Sequence, residues 1–267
     1  SEEIYCFQRC FIFDTVISYS SRSYSNMPAR SEFIAQVNDF FEGNYTVADG
    51  TVIPDVEDVE FGKKGKRLEL AMLFIDIRES TKIVDGFRRV TAAKMYKSFL
   101  WGVAHIARMN GGELRSFNGD GVLIAFIGDS KCTHAAKAAM QMSWFAQKVL
   151  QPKLATYFAA NQQLEDLTFD FGIGIDLGTV LVVRGGIRGE NNNDLVWVGN
   201  ATNFAVKLSG LSEDGYHIYI TEEVYKKMNE SSKLSVNERR EMWESRLWTA
   251  MDNMSIYRTS WHWAVDD

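Results

Sequence analysis

Leu68-Glu-Leu-Ala-Met-Leu-Phe-Ile-Asp76-Ile77, continuing directly into Arg78-Glu79-Ser80-Thr81, is the stretch whose reading decides the fold. Residues 68–77 are nearly continuous in apolar side chains, the pattern of a strand covered on both faces, and they close on a single carboxylate, Asp76. Residues 80–87 and 90–110 have helical spacing, and Gly111-Gly112 stops the second helix. Residues 113–117 and 122–127 read as two strands joined by the hairpin turn Asn118-Gly119-Asp120-Gly121. Downstream, 131–150 is helical; 168–176, 179–183 and 195–198 are strands; 200–211 is a helix; 217–220 is a strand entering a helix over 222–228. Two further strands are expected within 241–265. This order gives an α/β, more narrowly α+β, sandwich on a mostly antiparallel sheet with flanking helices.

Before residue 68 the pattern loosens. Residues 1–30 pair a short apolar stretch with a Ser-rich run, and 31–41 form a short amphipathic helix with Ser31 as N-cap, ending at Gly43. Residues 44–67 read as a loop with turn signals at Asp49-Gly50 and Pro54, closing on the basic string 62–67, a solvated linker. The expected division is therefore an extension, 1–67, and a catalytic domain, 68–267.

Composition narrows the function. The chain has 267 residues, 46% hydrophobic, with 29 Lys and Arg against 35 Asp and Glu, a net charge of −6. Such a chain buries a proper core and is neither a disordered tail nor a basic nucleic-acid binder. Cys6, Cys10 and Cys132 make an odd, sparse set without paired C-x-x-C spacing, which points to reduced thiols, a cytoplasmic location and no zinc. The apolar run 10–17 is broken by Asp14 and preceded by Glu2 and Glu3, so neither a membrane partner nor an export signal is expected.

The chemistry should gather at Asp76 and Asp120. If their strands are neighbours, both carboxylates meet at one sheet edge as hard oxygen ligands, suited to two divalent cations, Mn²⁺ or Mg²⁺, against a triphosphate. The glycines around Asp120 permit a tight turn and close approach of a ligand. The backbone amides of Arg78, Glu79, Ser80 and Thr81 open a helix and form a candidate phosphate cradle. No G-x-x-x-x-G-K-[ST] occurs, so this is not a P-loop. The plainer reading has Asp76 capping the next helix and Asp120 only making the turn.

Three ordered blocks add a family resemblance: Phe74-Ile75-Asp76-Ile77-Arg78-Glu79-Ser80-Thr81; Gly111-Gly112-Glu113 through Asn118-Gly119-Asp120-Gly121 to Phe126; and Val198-Gly199-Asn200 through Asn203 to Lys207-Leu208. Together they resemble the signature blocks of class III nucleotidyl cyclase catalytic domains, across about residues 68–265. The resemblance implies a ferredoxin-like, palm-type core and a homodimer with active sites at its interface. One subunit supplies Asp76, Asp120 and the Ile77 backbone carbonyl to the metals. Its partner supplies Asn203, which orients the ribose, and a basic residue one helical turn on, which neutralises charge at the α-phosphate. That residue is Lys207 where the family carries arginine, a point charge in place of a bidentate fork.

The two base-reading positions of purine cyclases are Ser116 and Val196, so neither expected partner of adenine or guanine is present. Strand alternation puts Ser116 and Asn118 on one face and Arg115 on the other. The pattern is similar to the pyrimidine cyclases of bacterial Pycsar antiphage systems, which make cyclic UMP or cyclic CMP for a separate cyclic-nucleotide effector. The alternatives are a purine cyclase that reads its base through Arg115 or another group, and a non-catalytic nucleotide-binding module.

Overall fold

The computed structural model describes residues 29–161, 169–189, 192–213 and 215–265, so expectations for 1–28 lie outside the described residues. Two compact units emerge, Ser1–Asn44 and Tyr45–Asp267. The first contains α1 (Arg30–Phe41); Ala29 holds the N-cap position without a side-chain hydrogen bond, two residues before the expected cap, and Ser31 lies inside the first turn.

The second unit runs β1 (Thr46–Asp49), β2 (Lys64–Ile77), α2 (Ser80–Gly86), α3 (Arg89–Met109), β3 (Glu113–Asn118), β4 (Gly121–Phe126), α4 (Lys131–Trp144), a π-helical segment (Phe145–Leu150) and α5 (Gln151–Asn161). It continues with β5 (Phe171–Gly186), β6 (Asn193–Val198), α6 (Asn200–Ser209), β7 (Ile218–Thr221), α7 (Glu222–Lys227), α8 (Glu230–Lys233), β8 (Glu244–Trp248) and β9 (Met254–Thr259). The sheet order is β3-β4-β2-β5-β7-β9-β8, with β1 beside β2 and β6 beside β5. Among the described residues only the β1–β2 and β5–β7 pairs are parallel. This is the expected α+β architecture on a mostly antiparallel sheet.

Strand β2 sits at the centre because its alternate residues feed two cores. Ala71, Leu73, Ile75 and Ile77 pack with Met95, Phe99 and Val103 of α3 and with the alanines of α4. Leu68, Leu70, Met72 and Phe74 pack on the opposite face with Val180, Val182, Trp197 and the α6 residues Ala201 and Ala205. Each large aliphatic group buried here contributes about 1.5–3 kcal/mol relative to exposure.

Three local expectations change. Residues 44–67 are not a free linker, since Thr46–Asp49 pairs in register with Lys64–Arg67 and the basic string enters β2; the boundary expected after residue 67 runs through that strand. The strands expected over 168–176 and 179–183 are one strand, β5, paired with β2 without interruption from Phe171 to Val182. Its glycines serve the helix above rather than a turn. A Cβ at Gly172 or Gly174 would collide with the backbone oxygens of Ser209 and Ala205, so α6 can lie directly on the β5 backbone only because no side chain intervenes. In β3 the register shifts between Leu114 and Ser116, so Arg115 occupies a bulge and simple alternation fails there.

Candidate active site

Asp76 is the penultimate residue of β2, and β4 is a direct neighbour of that strand, so the β3–β4 turn delivers Asp120 to the same end of the sheet. Gly121 makes the approach possible. A Cβ at this position would lie 2.5 Å from the Phe74 ring and 3.0 Å from Asp76 Oδ1. Asp76 Oδ1 accepts the Ile77 amide at 3.1 Å. Burial, followed by the charge of Asp120, pushes the Asp76 carboxyl up to about 7, against the lowering effect of the Ile77 N–H. Asp120 Oδ2 is buried and has no hydrogen-bond partner.

Two apposed carboxylates, one with an orphaned oxygen, lack the positive charge that would satisfy them, and hard divalent cations fit this donor set. Among the described residues no three His, Cys, Asp or Glu gather, so no third side chain of these types joins the pair.

Arg78 is not presented to a phosphate. Its amide donates to the Asp170 carbonyl at 3.0 Å, and its guanidinium holds both Asp170 carboxylate oxygens at 3.1 and 3.2 Å and the Leu211 carbonyl. Burial would raise the Asp170 carboxyl, but His217 and Arg78 outweigh it and hold it down at about 2. The cradle expected from the amides of residues 78–81 therefore loses its first member. Glu79 adopts a left-handed backbone (φ 54) and pairs with Lys82 at 2.5 Å. Thr81 is exposed in α2, and the Ser80 carbonyl accepts the Tyr96 hydroxyl at 3.3 Å.

Asn203 and Lys207 lie exposed on α6, away from the stripe Ala201, Ala205 and Leu208 that meets the sheet. Lys207 Nζ rests 3.8 Å from Met251 Sδ. Among the described residues no hydrogen bond or ion pair joins Asn203 or Lys207 to Asp76 or Asp120.

Val196 faces outward from β6 at 47% exposure, with Val198 and Val206 also exposed nearby in sequence. Ser116 is half-buried and Asn118 exposed on β3. Arg115 donates to the Pro54 carbonyl at 3.1 Å and to Glu113 at 2.9 Å, and lies 5.8 Å from the Trp197 ring. Arg258, 3% exposed, is committed to Glu213 and Glu244, and Arg246 pairs with Glu244 at 3.1 Å, so neither stands free for a phosphate. Trp243 and Trp248 are core residues, and Tyr257 stacks on Tyr225 at 3.8 Å.

Sequence reasoning missed Tyr96 and Asp170. Tyr96 stands four residues after Ala92 and four before Leu100, so it reads as one more core position of α3. Asp170 acts on Arg78 across 92 positions.

No family model matches the chain. Relatives do. A protein named uridylate cyclase from Xanthomonas perforans is 36% identical over 243 residues, spanning 90% of this chain and 100% of that protein. Another uridylate cyclase, from Burkholderia cepacia, is 34% identical over 233 residues, spanning 86% and 96%. Among solved structures, the guanylyl cyclase Cya2 superposes with a TM-score of 0.57 at 19% identity, covering 74% of this chain and 95% of that one. The dimeric guanylyl cyclase domain of RhoGC from Blastocladiella emersonii gives a TM-score of 0.54 at 18% identity, covering 73% and 97%. The extent and identity of the match to the sequence relatives, on a sheet whose architecture is that of class III nucleotidyl cyclase domains, show that the chain belongs to the uridylate cyclase family.

Proposed function

We propose that the chain converts UTP to 3′,5′-cyclic UMP and pyrophosphate in a homodimer with shared sites. The observation that carries this reading is the apposition of Asp76 and Asp120 across Gly121, with one buried carboxylate oxygen unsatisfied. Asp76, Asp120 and the Ile77 carbonyl would hold two divalent cations, Mn²⁺ or Mg²⁺. When bound, these ions supply a lowered pKa at the ribose 3′-hydroxyl and a counter-charge for the triphosphate.

The 3′-oxygen attacks the α-phosphorus in line, losing its proton, and the bond from the α-phosphorus to the bridging oxygen breaks to release pyrophosphate. The partner subunit's Asn203 holds the ribose in the attacking orientation. Lys207 neutralises the transferring phosphoryl group; the Met251 thioether is too weak an acceptor to retain its ammonium hydrogens. Exposed Val196, Val198 and Val206 supply apolar surface around these groups for the second protomer.

Base choice follows from what is missing. Ser116 and Val196 offer no long cation or carboxylate to a purine edge, and the Arg115 guanidinium is already paired with Glu113 and Pro54, which argues against the purine alternative. UTP is favoured over CTP by the relatives' names. On the same reading the product is a second messenger for a separate effector in cytoplasmic antiphage defence. No helix among the described residues is long and apolar enough to cross a membrane.

The test is incubation with UTP, CTP, ATP and GTP together in Mn²⁺, with products identified by mass. Predominant cyclic UMP supports the proposal. Predominant cyclic AMP or cyclic GMP refutes it, and nucleotide binding without any cyclic product replaces it with the non-catalytic module.

A further inference from the structure

We infer that Tyr96 is a positioning residue of the metal centre, pinning from α3 the short segment that carries Asp76 and the Ile77 carbonyl. The inference rests on the two-cation reading above and adds a residue that its ligand set does not contain.

Residues 76–80 leave the end of β2 and enter α2, and two hydrogen bonds from distant parts of the chain fix them. At Arg78 the amide donates to the Asp170 carbonyl at 3.0 Å. At Ser80 the carbonyl accepts the Tyr96 hydroxyl at 3.3 Å. Between these points Glu79 sits at φ 54, a left-handed conformation that a non-glycine residue holds only where its flanks are constrained. The Asp170 bond constrains one flank and the Tyr96 bond the other.

Tyr96 is equipped for this task. Its ring packs against the core between β2 and α3, so the hydroxyl is delivered from a rigid element. Burial, and after it the charges of Asp120 and Asp76, raise the phenol above its ordinary value against the lowering hydrogen bond with Ser80, so the hydroxyl stays protonated as a donor. The same side chain therefore ties down, through the Ser80 carbonyl, the backbone leading away from the acidic pair. A cation held between Asp76, Asp120 and a backbone carbonyl needs that backbone at a fixed distance, because the two carboxylates alone leave its position open.

Tyr96→Phe keeps the ring and deletes the hydroxyl. Loss of one net hydrogen bond should weaken Mn²⁺ binding by about 3- to 10-fold in titration calorimetry without nucleotide. The Mn²⁺ concentration for half-maximal turnover should rise by the same factor, while kcat at saturating Mn²⁺ stays within about twofold of wild type, as expected for an effect on positioning alone. A purely structural role would lower kcat and the unfolding temperature and leave both Mn²⁺ measures unchanged, and that result overturns the inference. Asp76→Ala separates the two levels of argument. If it binds Mn²⁺ as tightly as wild type, the metal centre is misplaced and the role of Tyr96 falls with it; if it loses Mn²⁺ while Tyr96→Phe does not, the metal centre stands and Tyr96 alone is excluded.

Discussion

Gly121 and Asp76 are so close that a single added methyl at the glycine would lie 3.0 Å from the carboxylate oxygen, while also meeting the Phe74 ring at 2.5 Å. Gly121→Ala therefore has to displace the Phe74 ring, the Asp76 carboxylate or the turn that carries Asp120. The expected cost is about 1–3 kcal/mol of stability from overpacking. Turnover should fall at least about tenfold, since displacement of a reacting group by about 1 Å has effects of that order or larger. Denaturant unfolding and steady-state kinetics on the same preparation check both, and an unchanged kcat would show that the two carboxylates need not meet.

Removing either carboxylate should be more severe. Asp76→Asn and Asp120→Asn keep the shape of the site and halve its charge, so turnover should disappear while the purified protein stays folded. Near wild-type activity in either variant, measured with excess Mn²⁺, would end the two-cation mechanism.

The Asp76 carboxyl, raised from 3.8 to about 7, sets a direction for pH dependence in the cation-free protein. A raised folded-state value means that the stability linked to this group is fully present below about pH 4 and is lost as the pH climbs through about 7. Asp76→Asn cannot titrate there. The unfolding temperature of wild type relative to this variant should therefore decline steadily from about pH 5 to about pH 8. Mn²⁺ should reverse the trend, binding more tightly as pH rises towards about 7 and expelling a proton below it. Calorimetry in two buffers of different ionisation enthalpy reads that proton directly, and its absence at pH 6 would place the titrating group elsewhere.

Shared sites make a quantitative demand. Asp76→Ala and Lys207→Ala homodimers should each be nearly inactive. In a mixed dimer both lesions fall in one centre and the other is intact. Random exchange at equal concentration makes about half the dimers mixed, each with one working centre of two, so activity should recover to about one quarter of wild type. Demonstrated subunit exchange with no recovery would place Asp76 and Lys207 in the same subunit's site.

What could be read ahead of the structure was what is local. The apolar run of β2, the spacing of α3 and the Asn118–Gly121 turn each sit within one short window of sequence, and each forms where periodicity put it. Apart from the helix cap placed at Ser31 instead of Ala29, the misreadings involve a distant partner. Strand β1 is four polar-leaning residues that become a strand only beside Lys64–Arg67. Leu177-Gly178 reads as a break in β5 until β2 is laid against it. The bulge at Arg115 exists only relative to β4, and Arg78 looked like part of an anion cradle because Asp170, its actual counter-ion, was too far along the chain to suggest itself.

The seating of α6 on Gly172 and Gly174 has a mechanical result. Strand β5 is paired residue by residue with β2, and α6 touches the β5 backbone with no side chain between to act as a cushion. Asp76 at the end of β2 and Asn203 and Lys207 on α6 are therefore parts of a single stiff body. In the shared-site dimer proposed above, a protomer that tilted would carry its acidic pair away from one nucleotide and its cationic helix away from the other in the same movement. On that proposal the two centres would open and close together, and a controlling signal would have one variable to set, the angle between the two protomers.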